Sequence, residues 1–197
     1  MQNHEAIALG YLLCWMVFET FWDLRARDHT IPVWFSLATV LPGLAWLGFY
    51  VSPWAAILMT ISIVSTEIYP RYLMLGFIGL FAPPPLAVLI SPSLLPLAIG
   101  WAVLLVLWFL NVLGGADALA ALALLLFFPS WTMATAILLG IFCWNFALLL
   151  RKYRKDVGRR LWAVLSSRAP GTMEAGLGAY ALAVLFYSVY RLLGCGL

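Results

Sequence analysis

Long apolar runs alternate with short polar breaks along this chain. Ala6 to Trp22, Ile31 to about Tyr50, Trp54 to about Thr66, Tyr72 to Ile90, Leu94 to Leu113, Ala116 to Phe128, Trp131 to Leu150 and about Ala175 to Leu193 are each nearly free of charge. A helix that crosses a hydrocarbon layer needs about 20 apolar residues, with a range of roughly 17 to 25. The pattern therefore predicts about eight transmembrane helices, the sixth of them short. Pro32 opens the second run, in a first turn where its missing N–H is harmless. Ser52-Pro53, Ser91-Pro92-Ser93 and Pro129-Ser130 mark turns between runs. Pro83-Pro84-Pro85 falls inside the fourth run and predicts a kink or break there.

Composition agrees with the pattern. Of 197 residues, 65% are hydrophobic and 10% charged, with a mean hydropathy of +1.02. A water-soluble domain of this length would carry about 25% charged residues. The expectation is an all-α, polytopic, multi-pass protein of the cell membrane, one domain over 1–197, with no room for a separate soluble catalytic module. The amino terminus carries no Lys or Arg before its apolar run and no small-residue cleavage site after it, so the first run reads as a permanent span.

Charge then orients the spans. Basic residues concentrate in cytoplasmic loops. With the amino terminus outside, the inner loops hold Arg25, Arg27, Arg71, Arg151, Lys152, Arg154, Lys155, Arg159, Arg160 and Arg168, which is ten of the eleven basic residues. Only Arg191 falls near the outer face. The net charge of +3 thus follows the membrane and does not indicate nucleic acid. The basic loop at about 151–172 suits a cytoplasmic segment resting on anionic lipid. The Trp residues read as interfacial belts.

Two carboxylates sit where this order makes them unusual. Asp117 follows Leu113-Gly114-Gly115-Ala116 and opens an apolar run. Asp23 ends the first run in Phe21-Trp22-Asp23-Leu24-Arg25. An acid at the margin of hydrocarbon usually faces protein interior, a partner or water. Each also has an ordinary reading: Asp117 as a first-turn or capping acid favoured by the helix dipole, Asp23 as a solvated loop residue. Four spans separate them, so both fall at the cytoplasmic face. Two carboxylates brought close share a proton over a wide pH range. Aspartic proteolysis requires this, with one carboxylate activating water while its protonated partner polarises the scissile carbonyl. Gly114 and Gly115, with Ala116, would let backbone and substrate approach.

These residues carry a resemblance. Asp23-Leu24-Arg25-x-Arg27 ahead of Ile31-Pro32, and Gly114-Gly115-Ala116-Asp117-Ala118, are similar to the motifs of the GxGD-type aspartic peptidases of the type IV prepilin peptidase and archaeal preflagellin peptidase family. The resemblance implies a membrane endopeptidase with Asp23 and Asp117 as its catalytic pair. It implies, too, a pilin-like precursor as substrate, cut between a short basic leader and its hydrophobic helix. The chain departs from the family pattern in three places. Ala116 stands where the family has glycine, Leu119 where a lysine is common, and the loop from Asp23 to Ile31 is about two residues longer, which leaves Asp28 as a rival to Asp23. Cys14, Cys143 and Cys195 are too scattered for the cysteine-tetrad loop of bifunctional members, so no N-methyltransferase activity is expected. With only His4 and His29 beside them, neither metal nor cofactor is expected.

Lesser residues have simpler readings. Glu19 lies one turn before Asp23 and is expected to bond a neighbouring helix through Thr20 or Trp22. Glu67 and Arg71 suit a local interfacial pair. Two other functions stay open: a non-enzymatic membrane protein, either a small proton-coupled transporter or an assembly subunit, and an inactive peptidase homologue. A carrier would place its acids near the bilayer midplane and show two similar halves.

Overall fold

The computed structural model describes residues 3–25, 33–68, 72–109, 115–152 and 178–193, and among these the chain is helical with no strand. In order the helices are α1 (Asn3–Arg25), α2 (Val33–Tyr50), α3 (Pro53–Ile68), α4 (Leu73–Phe81), α5 (Pro83–Ile90), α6 (Leu95–Phe109), α7 (Gly115–Phe127), α8 (Trp131–Lys152) and α9 (Gly178–Leu192), with a 3-10 turn at Pro92–Leu94 before α6. α1 continues through Asp23, Leu24 and Arg25, which the apolar pattern alone assigns to a loop. Leu and Arg are good helix formers, and a basic residue in a last turn complements the helix dipole.

α7 is the centre of the bundle. From Ala120 to Leu126 every residue is at most 2% exposed. α2 and α6 pack along it, and α8 and α9 touch it as well. A helix that is apolar all round has no amphipathic stripe to orient, so it is buried on every side. Its 13 residues rise about 20 Å, well short of the roughly 30 Å hydrocarbon thickness. Protein, rather than lipid, covers the sixth apolar run. Small residues let its neighbours close in. A Cβ at Gly43 on α2 would lie 3.0 Å from Leu126 Cβ, and one at Gly100 on α6 would lie 2.6 Å from Leu125 Cδ1.

The prolines interrupt hydrogen bonding more than direction. Ala82 stays in the right-handed helical region (φ −77°, ψ −40°), so α4 and α5 run on as the single apolar stretch Leu73–Ile90. A proline has no N–H for the carbonyl four residues back, and a buried carbonyl left so needs another donor. Pro84 deprives Leu80, and the Ser62 hydroxyl of α3 donates to the Leu80 carbonyl at 2.7 Å. Ser62 Oγ in turn accepts from Trp101 Nε1 of α6 at 2.7 Å. Pro42, inside α2, deprives Ala38, and the Tyr11 hydroxyl of α1 donates to that carbonyl at 2.8 Å. Side chains from neighbouring helices thus repair the gaps left by Pro42 and Pro84. Trp101 therefore belongs to the core and not to an interfacial belt.

One end of the bundle gathers rings and an ion pair. His4 stacks on Tyr50 with centroids 4.8 Å apart, and Trp46 lies 5.7 Å from Phe127. Arg191 of α9 donates to Glu5 of α1 at 2.7 Å. The one basic residue that the charge pattern left near the outer face is thus paired to an acid at the start of the chain. Thr20 bonds its own helix, donating to the Met16 carbonyl at 2.6 Å, while the side chains of Glu19 and Trp22, on which the expected neighbouring-helix bond also rests, lie outside the described ones.

The outward faces are strongly apolar. Phe49 is 87% exposed, Met74 80% and Leu89 80%. Among the described residues, two helical stretches are long and apolar enough to cross a membrane, Leu73–Ile90 and Pro92–Phe109.

Candidate active site

The direction of the helices decides which residues can meet. The Glu5–Arg191 pair sets the start of α1 beside the end of α9, so these two run antiparallel. Phe128, just past α7, lies 5.0 Å from Tyr187 of α9, while Asp117 at the start of α7 lies within electrostatic reach of Tyr180 at the start of α9. α7 and α9 therefore run parallel, and α1 runs against both.

This fixes the level of the two aspartates along the bundle. Tyr11 of α1 and Phe127 of α7 meet with ring centroids 5.9 Å apart. Asp23 lies 12 residues beyond Tyr11, and Asp117 lies 10 residues before Phe127. At about 1.5 Å per residue the two positions are about 18 Å and 15 Å from that shared contact, in the same direction. By this reckoning Asp23 and Asp117 fall toward the same end of the bundle, the one opposite Glu5 and Arg191.

Local sequence explains the placement of Asp117. Gly115 is the first residue of α7, Ala116 follows it, and Asp117 completes the first turn, half-buried, before the run that fills the core. Asp23 lies in the last turn of α1. Its side chain, like those of Glu19 and Glu67, is outside what the structure describes, as are Gly114, Asp28 and Arg71.

One group at this end carries no mark in the sequence. Tyr180 is fully buried, and its hydroxyl has no hydrogen-bond partner among the described residues. Nothing in the sequence singles it out, because a tyrosine in an apolar helix ordinarily reads as packing.

Close helix contact holds this part of the bundle. α8 and α9 cross at Gly140, where an added Cβ would collide with the Ala179 carbonyl oxygen and lie 3.2 Å from Ala183 Cβ. Backbones that approach over small residues make a stiff support. Among the described residues no group of three or more His, Cys, Asp or Glu side chains could hold a metal ion. A half-buried carboxylate at a helix start, with a second aspartate toward the same end of the bundle, has the components for acid–base chemistry on water. No protein-family model, curated protein or solved structure matches this chain.

Proposed function

We propose that the chain is a multi-pass aspartic endopeptidase of the cell membrane, with about eight transmembrane helices and with Asp23 and Asp117 as its catalytic pair. Its substrate is a pilin-like precursor, from which it removes the short basic leader at the cytoplasmic face. What supports this reading is that the two aspartates fall toward one end of the bundle, on helices that run antiparallel. The apolar outward faces, which lipid would cover, support the membrane setting.

The chemistry needs one proton shared between two carboxyls. The ionised carboxylate takes a proton from water as the water oxygen bonds to the scissile carbonyl carbon. The protonated carboxyl gives its proton to the carbonyl oxygen. When the tetrahedral intermediate collapses, the C–N bond breaks, the leaving amine takes the first proton, and the hydroxyl returns the second. The pair ends as it began, and the reaction consumes one water with no cofactor.

Replacing either Asp23 or Asp117 by Asn preserves size but removes an ionisable oxygen. Each variant is expected to lose cleavage by orders of magnitude, because the remaining carboxylate can no longer alternate between acid and base. Folding is expected to survive, since a neutral amide is easier to bury than a charge. Asp28→Asn is expected to change little. The assay expresses each variant with a pilin-like precursor, checks for equal membrane abundance and follows leader removal. A dead Asp28→Asn beside an active Asp23→Asn would reassign the first aspartate. Parent-like cleavage by all three variants would remove the peptidase reading.

A further inference from the structure

Burying a hydroxyl without a partner costs about 1–3 kcal/mol, and more than nine in ten buried polar groups avoid it. Tyr180 does not avoid it, at 0% exposure. Its position gives the reason. Tyr180 lies seven residues before Tyr187, and Asp117 lies eleven before Phe128, the residue that Tyr187 touches. The Tyr180 backbone is thus about 6 Å short of the Asp117 level along the bundle. Side chains on a helix lean toward its N-terminus. For α9 that lean carries the phenol toward the Asp117 level. A second buried donor, Trp144 Nε1, is also without a partner among the described residues. Trp144 is one turn beyond Gly140 on the same face of α8, toward the same end of the bundle. Both unpaired groups are donors, and both are held on the closely packed α8–α9 pair.

We infer that the Tyr180 hydroxyl is the hydrogen-bond donor that receives a backbone carbonyl of the substrate beside Asp117. This rests on the peptidase reading above. A peptide entering an apolar bundle brings carbonyl groups that water no longer solvates. An acid pair on water duty cannot satisfy all of them, whereas a donor already desolvated and unpaired gains a partner without giving one up.

The test is Tyr180→Phe in the full chain. It is assayed in membranes against a tagged precursor carrying a short basic leader ahead of an apolar helix. Tyr187→Phe and Asp117→Asn serve as comparisons. Removing an oxyanion-type donor lowers turnover about 100-fold or more, so Tyr180→Phe is expected to lose about that in kcat, with thermal stability unchanged or raised. The pH profile is expected to keep its parental limbs. Tyr187, which packs against Phe128 at the far end, is expected to keep turnover. Parent-like cleavage by Tyr180→Phe, where Asp117→Asn is dead, overturns this inference alone. So does a fall in stability that matches the fall in activity. An acid limb displaced by Tyr180→Phe assigns the hydroxyl to the carboxylate and likewise overturns the substrate contact. A parent that never cleaves, or an Asp117→Asn as active as the parent, removes the peptidase reading and this inference with it.

Discussion

Replacing Ser62 by Ala is expected to destabilise the bundle by about 2 kcal/mol, because one hydroxyl serves two buried groups. Ser62 Oγ accepts from Trp101 Nε1 at 2.7 Å and donates to the Leu80 carbonyl at 2.7 Å. All three residues are at most 2% exposed. Two orphaned groups at about 1–3 kcal/mol each set an upper range of about 2–6 kcal/mol. Interhelical hydrogen bonds in membranes average only about 0.6 kcal/mol, since separated helices find other partners. Trp101 has that alternative. The Leu80 carbonyl has none, because Pro84 removes its helical donor whether or not the helices are packed. The Leu80 loss therefore keeps most of its value while the Trp101 loss is small. Pro84→Ala supplies the missing N–H, so Ser62→Ala in that background is expected to lose only about 0.6 kcal/mol. Reversible unfolding of the detergent-solubilised protein in rising dodecyl sulfate, followed by tryptophan fluorescence, measures all four proteins. A Ser62→Ala loss under about 0.5 kcal/mol, or equal losses in the two backgrounds, would refute the proline-gap account.

The same cycle applies to Tyr11 and Pro42: Tyr11→Phe is expected to lose about 1 kcal/mol in the parent and close to none in a Pro42→Ala background, read by the same unfolding assay. Gly140→Leu is expected to force α8 and α9 apart, because even a Cβ there meets the Ala179 carbonyl. Reduced membrane abundance and faster proteolysis would show it, whereas a parent-like yield and melting temperature would mean that the two helices do not pack as closely as described.

Much of the helix pattern was legible along the chain because apolar length and proline position are local properties. The expected run from Tyr72 to Ile90 appears as α4 and α5, divided at Ala82 ahead of Pro83-Pro84-Pro85 yet continuous in direction, and the expected turn at Pro129-Ser130 separates α7 from α8. Charge placement also marked Arg191 as the exception among the basic residues, though its partner Glu5 lies 186 positions away. Asp117 stood out because a carboxylate ahead of an uninterrupted apolar run is rare on solvation grounds alone.

Three features came only from packing. The run behind Asp117 looked like any short span, since a helix without an amphipathic stripe does not reveal whether lipid or protein surrounds it. Its central position follows from which helices crowd it. The partners of the carbonyls freed by Pro42 and Pro84 come from other helices, so Tyr11 and Ser62 carry no local mark of that role. Tyr180 reads in sequence as one more aromatic residue in an apolar helix. Its unpaired hydroxyl near Asp117 is a property of how α7, α8 and α9 meet. Local chemistry determined the helices and nominated Asp117, whereas hydrogen-bond satisfaction and proximity depend on contacts between segments far apart in the chain, which only the tertiary structure decided.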